Sequence, residues 1–306
     1  MKLFYLSLVS FLLIASSSLA IAVMAHPQKV IIVSNKKVNN FKEDLPLLPV
    51  LTGKSSFPIL SAQAVMAIDM ASGVTLYEKN PDGQLLPAST TKIVTALVAL
   101  DYYPLNQVLK VDGIKIDGQK MHLVKGEKIT VENLLYGLLV YSANDAAEVL
   151  AANFPGGKDE FVYTMNKKAQ ELHLSKSYFT NPSGLDGDGI GTTARDLAII
   201  SQSAMKNPFF RKIVSTKETV VTSTDGKIVH KLKNVNELLG KVDGVLGVKT
   251  GWTEAARENL VSYIERDGKY VMVVVLGSQD RFGETEELIE WIFGNYEWRK
   301  IEVPQK

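Results

Sequence analysis

The chain has no cysteine. Disulfides, thiol nucleophiles and thiolate metal sites are therefore excluded, while the redox compartment is left open. It also has almost no net charge: 34 Lys and Arg stand against 33 Asp and Glu, a formal +1. Such a balance gives no electrostatic case for nucleic acid as a partner. Histidine is scarce. His26, His122, His173 and His230 fall at no ligand spacing, and neither an H-E-x-x-H helix nor a G-x-S-x-G elbow occurs. Zinc-hydrolase and α/β-hydrolase readings thus have little support, and no metal or cofactor is expected. Internal repeats and low-complexity tracts are missing as well.

What is present is a chain with 46% hydrophobic and 22% charged residues, enough for a sizeable core. Its 306 residues suit one large domain or two. Met1-Lys2 precedes an uncharged stretch from Leu3 to Ala25. A basic start, an apolar middle and small residues at Val23-Met24-Ala25 or Ser18-Leu19-Ala20 have the shape of an export signal, and the stretch is long enough to span a bilayer uncleaved. Residues 1–25 are therefore expected to be a signal peptide or an N-terminal membrane anchor. Residues 26–61, with Lys36-Lys37, Asn39-Asn40 and scattered prolines, read as a linker. The folded unit is expected from Ala62 to Trp298, with 299–306 as a tail.

Two β-like runs, Ala62–Met70 and Gly73–Lys79, open that unit as a hairpin. A helix follows at Ile93–Leu100. Gly113, Gly118 and Gly126 punctuate a polar, irregular stretch. Thr130 caps a helix with a Leu134, Leu135, Leu138, Leu139 stripe, another helix starts at Asp145, and Phe161–Leu174 forms a third. Thr193 with Asp196 caps Arg195–Met205. Lys217–Thr224 and Lys227–Lys233 flank Asp225-Gly226 as a hairpin. Gly247–Thr250, Asn259–Glu265 and Tyr270–Gly277 read as strands, and Glu284–Tyr296 as a closing helix. The order implies an α+β fold: an antiparallel sheet flanked by helices, with a helical insertion at about 101–206.

The chemistry centres on Pro87-Ala88-Ser89-Thr90-Thr91-Lys92, ahead of the run Ile93–Leu100, which is apolar nearly all round and so is a buried helix. Ser89 and Lys92, three apart, share one face. Burial and the positive end of the helix dipole both favour a neutral amine, which can take a serine proton. Ser142-Ala143-Asn144 sits in a break between helices and points a hydroxyl and an amide at one spot. Lys249-Thr250-Gly251 ends a strand: Lys249 supplies a cation, Thr250 a hydroxyl, and Gly251 lets another backbone approach.

Each motif alone is weak; the ordered triplet S-x-x-K, S-x-N, K-T-G is not. With it the sequence resembles the penicillin-recognising serine enzymes, and more closely the low-molecular-mass D-alanyl-D-alanine carboxypeptidases, serine peptidase family S11, of the β-lactamase/transpeptidase-like superfamily. Leu85–Lys92, Glu132–Leu139, Ser142–Ala147, Asn181–Leu185, Thr193–Asp196 and Val242–Val245 carry the likeness too.

The resemblance implies an acyl-transfer reaction. Ser89 attacks the carbonyl between two terminal D-alanines of a peptidoglycan stem peptide, Lys92 takes its proton, and Ser142 relays a proton to the leaving D-alanine. Asn144 and Lys249 hold the surrounding hydrogen-bond network. The backbone N–H groups of Ser89 and Trp252 form an oxyanion hole. Thr250, with Arg281, binds the terminal carboxylate beside Gly251. β-Lactams are expected as covalent inhibitors at Ser89. An exported, extracytoplasmic location follows, with any membrane attachment made through the N-terminal segment.

Two departures from the family pattern stand out. Arg257 follows Ala256 where relatives usually have glycine, and is expected to narrow the cleft or to contact an acidic stem-peptide group. Asp186–Gly191 is glycine-rich but fits neither a phosphate loop nor a calcium loop, and reads as a flexible turn. The alternatives are a D,D-endopeptidase with the same chemistry, a β-lactamase, and a non-enzymatic wall-binding relative. The second is opposed by the lack of any Glu in Leu174–Arg195. The third is opposed by retention of all six motif residues, which folding does not require.

Overall fold

The computed structural model describes residues 47–300. The expected export segment and the first part of the expected linker lie outside these residues, as does the end of the tail.

The strands are β1 (Leu48–Leu51), β2 (Ala64–Asp69), β3 (Thr75–Lys79), β4 (Val108–Lys110), β5 (Lys128–Thr130), β6 (Glu218–Thr222), β7 (Val229–Lys233), β8 (Val245–Thr253), β9 (Arg257–Arg266), β10 (Lys269–Ser278) and β11 (Tyr296–Arg299). The helices are α1 (Lys92–Tyr102), α2 (Val131–Leu139), α3 (Asn144–Ala152), α4 (Gly157–Glu171), α5 (Ala194–Met205), α6 (Pro208–Val214) and α7 (Arg281–Asn295).

An antiparallel sheet of order β3-β2-β10-β9-β8 forms the platform. Its alternation sorts side chains onto two cores. Val65, Ala67, Val271, Val273 and Val275 face Leu288, Ile289 and Ile292 of α7. Met66, Met272, Val274 and Leu276 face the helical side. Burial on both faces explains why β10 reads as an unbroken apolar run. On the helical side α1 is central, with Ile93–Ala99 buried and α2, α3, α4 and α5 packed around it. Such a helix needs no amphipathic pattern.

The α+β architecture, with helices on an antiparallel sheet, is as expected from the order of elements, and several boundaries differ. β1 pairs antiparallel with β11, Leu48 opposite Arg299, so the folded unit begins well before Ala62 and reaches past Trp298. Residues 52–62 continue along the domain. Thr52 N–H donates to the Asn295 carbonyl at 2.8 Å, Ser55 N–H to Asn295 Oδ1 at 2.8 Å, and Ala62 N–H to Glu284 Oε2 at 3.1 Å. The helical region also extends past 206 through α6, whose Asn207 side chain accepts from Phe209 and Phe210 N–H while Pro208 occupies the first turn. α7 starts at Arg281 rather than Glu284, because Asp280 accepts from Gly283 N–H and caps it.

Candidate active site

Ser89 lies in a 3₁₀ turn, Ala88–Thr91, that runs directly into α1. In that geometry residues three apart eclipse, which stacks Ser89 over Lys92 more directly than an α-helix would. The turn is entered through Ala88 at φ +46°, an unusual conformation for a non-glycine residue. It is gripped on two sides. A Cβ at Gly251 would lie 3.0 Å from the Pro87 carbonyl oxygen and 3.1 Å from Ser89 N, so β8 can approach this closely only as glycine. A Cβ at Gly184 would strike the Ala88 carbonyl.

Lys92 is fully buried. Its Nζ donates to Ser89 Oγ at 2.7 Å, to Asn144 Oδ1 at 2.7 Å and to the Ser183 carbonyl at 2.6 Å. Burial lowers its pKa to about 7, against the opposing pull of Glu148 and Asp145. A substantial neutral fraction is then available near neutral pH, which a proton acceptor for a serine needs.

Ser142 falls between α2 and α3 at φ +62°, which turns its side chain into the same cleft. Lys249, also buried, donates to Ser142 Oγ at 2.8 Å and to the Thr250 carbonyl at 2.8 Å. Its pKa is pushed well down, by burial first and then by the charges of Lys92 and Arg281. The site is thus two hydroxyl–lysine pairs. Asn144, two residues after Ser142, joins the first pair: its Oδ1 accepts from Lys92, and its Nδ2 donates to the Asp117 carbonyl at 2.7 Å.

Ser89, Ser142, Asn144, Thr250, Gly251, Trp252 and Arg281 line one cleft of about 770 Å³, with Asp117–Gln119 as one wall. β8 is the edge strand beside it, so one row of its backbone groups is unpaired by the sheet. Arg281 Nη1 donates to the Gly251 carbonyl at 3.3 Å, and Glu258 lies 3.9 Å away. The guanidinium also lies 4.7 Å from the Phe282 ring centre. Arg281 and Thr250 together leave a cationic, hydroxyl-bearing end to the cleft.

Arg257 does not narrow this cleft. It is exposed, lines none of it, and sits at φ +57° where the β8–β9 hairpin turns. A glycine suits that position for its backbone freedom alone. In the glycine-rich loop, Asp186 accepts from Thr253 Oγ1 at 2.9 Å, a link from the loop to the hairpin. Among the described residues no group of three or more His, Asp or Glu has the geometry to hold a metal ion.

Two supporting residues escape sequence reasoning. Asn259 is fully buried on β9. Its Nδ2 donates to the Leu86 and Pro87 carbonyls at 2.9 and 3.1 Å, and its Oδ1 accepts from Gly277 N–H at 2.8 Å, tying the chain before Ser89 to the sheet. The available signal was one amide at the start of the apolar run Leu260-Val261 of β9. Asp145 accepts from Met121 and Leu123 N–H, both at 3.0 Å, and so carries the wall.

A serine bonded to a buried, pKa-depressed lysine, beside the edge of an antiparallel sheet under a helical subdomain, defines a serine acyl-transfer enzyme of the penicillin-binding and transpeptidase class. The family model described as D-alanyl-D-alanine carboxypeptidase matches residues 52–280, and the chain belongs to that family. It is 34% identical over 251 residues to a D-alanyl-D-alanine carboxypeptidase of Mycobacterium tuberculosis, covering 79% of this chain and 85% of that one. It is 32% identical over 247 residues to one of Bacillus subtilis, covering 77% of this chain but only 63% of that longer relative. The crystal structure of a Streptomyces DD-transpeptidase superposes with a TM-score of 0.74 at 32% identity, over 78% of this chain and all of the other.

Proposed function

We propose that this protein is a serine-type D-Ala-D-Ala carboxypeptidase that removes the terminal D-alanine from peptidoglycan stem peptides. The observation that carries the reading is the 2.7 Å bond between Ser89 Oγ and a buried Lys92 whose pKa falls to about 7. Ser89 Oγ attacks the carbonyl carbon of the penultimate D-alanine as its proton passes to neutral Lys92. The tetrahedral oxyanion is held by the backbone N–H groups of Ser89 and Trp252, a contribution of ~3 kcal/mol per donor. The C–N bond breaks, and the leaving D-alanine amine takes a proton through the Ser142 hydroxyl, which Lys249 orients. Water then hydrolyses the ester on Ser89. Thr250 and Arg281 take the substrate's terminal carboxylate, with Gly251 leaving room for the substrate backbone along β8.

β-Lactams acylate the same oxygen in this reading. With no Glu in 174–195 to activate a deacylating water, the adduct is long-lived rather than turned over as in a β-lactamase. A fluorescent penicillin, resolved on a denaturing gel, tests the reading. Wild type labels and Ser89→Ala does not; an unlabelled wild type overturns it. Incubation with purified sacculi separates carboxypeptidase, which releases free D-alanine, from endopeptidase, which splits cross-linked dimers.

The substrate class puts the work outside the cytoplasm. Residues 1–25 are read as the export element, cleaved or retained as an anchor. Sequencing the N-terminus of the mature protein, with its partition between membrane and soluble fractions, decides between these, and recovery only in the cytoplasm with Met1 intact refutes export.

A further inference from the structure

The β6–β7 hairpin carries a buried histidine that the chemistry above does not use. His230 Nδ1 lies 2.9 Å from the Met121 carbonyl oxygen, and its Nε2 lies 2.8 Å from Glu127 Oε1. Neither side chain reaches solvent to any extent, with exposures of 4% and 0%. The other Glu127 oxygen accepts from Val124 N–H at 2.9 Å. A carbonyl oxygen can only accept, so Nδ1 must carry a hydrogen. Nε2 then bonds a carboxylate only if one further proton sits between them. The pair therefore holds one proton more than a neutral imidazole and a carboxylate carry. Charge-assisted bonds of this kind are strong where water is excluded.

Met121 is buried just behind the cleft wall, two residues past Gln119 in the segment 117–123. Its N–H donates to Asp145 Oδ1 at 3.0 Å. Two residues back, the Gln119 carbonyl accepts from Asn144 N–H at 2.7 Å, and the Asp117 carbonyl accepts from Asn144 Nδ2 at 2.7 Å. That second bond fixes which way the Asn144 amide faces, and so keeps Oδ1 on Lys92. The segment is thus pinned both by α3, through Asp145 and Asn144, and by His230.

We propose that His230 and Glu127 are positioning residues for the reactive centre, holding the 117–123 wall so that Asn144 presents its oxygen to Lys92. The proposal rests on the reading of Ser89 and Lys92 as that centre.

The experiment compares Glu127→Ala, Glu127→Asp and Glu127→Gln with wild type. Glutamine can keep every bond without the extra proton: its oxygen accepts from Val124 N–H and its amide donates to a neutral His230 Nε2. Aspartate is one methylene too short to reach both partners. The readouts are the second-order rate of labelling by fluorescent penicillin and amide hydrogen exchange followed by mass spectrometry. Glu127→Ala is expected to lower labelling on the order of tenfold or more, since a 1 Å misplacement of reacting groups can cost about a hundredfold. It should also speed exchange selectively in 117–123. Glu127→Gln should stay within about twofold of wild type in both readouts. Should Glu127→Ala not fold, Glu127→Asp carries the same test.

The proposal is overturned if the alanine or aspartate variant labels like wild type, if exchange rises uniformly instead of in 117–123, or if the glutamine variant is as impaired as the alanine one. Wild type that fails to label refutes the carboxypeptidase reading instead, and the exchange comparison still judges the wall.

Discussion

Replacing Lys92 by methionine should abolish labelling of Ser89 and should also change how stability depends on pH. Methionine fills much of the same volume and has no charge to desolvate. In the folded chain Lys92 titrates at about 7, against 10.5 for an unperturbed lysine. Between those values the unfolded chain binds the proton and the folded one does not, so stability rises with pH across that window. Below about pH 7 the burial penalty is complete. At 1.36 kcal/mol per pH unit it amounts to about 5 kcal/mol at pH 6, and only about 2 kcal/mol remains at pH 9. The methionine variant also leaves Asn144 Oδ1 and the Ser183 carbonyl without a donor, at about 1–3 kcal/mol each, but that loss does not depend on pH. The stability of the variant relative to wild type should therefore fall by about 3 kcal/mol between pH 6 and pH 9. Relief of Lys249, whose pKa Lys92 depresses, acts in the same direction. Urea unfolding of both proteins at the two pH values measures this. A difference that stays constant within about 0.5 kcal/mol refutes the claim that burial holds Lys92 neutral.

Gly251→Ala should cut penicillin labelling on the order of tenfold and cost about 1–3 kcal/mol, because its Cβ would stand 3.0 Å from the Pro87 oxygen; calorimetry with the labelling assay checks both. Asn259→Leu should cost about 3 kcal/mol in urea unfolding, through three lost hydrogen bonds, and should slow labelling as the chain before Ser89 loosens. Arg257→Gly should leave labelling unchanged and raise stability by up to about 1 kcal/mol, since relief of the left-handed strain outweighs the backbone entropy of glycine. Ser142→Gly and Ser142→Ala should both impair turnover, with the glycine variant the more stable of the two by about 1 kcal/mol because only it relaxes at φ +62°.

Ser89, Lys92, Ser142, Asn144, Lys249 and Thr250, which the structure brings together, were legible because each belongs to a short motif with a spacing constraint. Burial of α1 was legible because its run is apolar all round, and the β6–β7 hairpin because Asp225-Gly226 is a strong turn signal. Other features leave little trace in local pattern. β1 contains Pro49, which counts against a strand, and its partner β11 lies far away in sequence. α6 has two turns and one cap, too little for periodicity to register. Whether Ser89 stands in an α-helix or a 3₁₀ turn depends on the grip of Gly184 and Gly251, which is tertiary. Glu127 and His230 each look like an ordinary polar residue until the hairpin folds over the loop.

The two lysines share one cause: burial drives the proton off each. Lys249 is depressed by burial first and by the charge of Lys92 second. Each amine is bonded to its own hydroxyl, Lys92 to Ser89 and Lys249 to Ser142. Arg281 cannot give up its charge in the same manner, so the lasting positive charge stays at the end of the cleft beside Thr250. In the proposed mechanism, attack and proton relay fall to two fully buried lysine–serine pairs, and carboxylate binding to the less buried Arg281. Exchanging Lys249 for arginine should slow turnover, because a planar guanidinium cannot replace the compact ammonium that orients the Ser142 hydroxyl in the proposed mechanism.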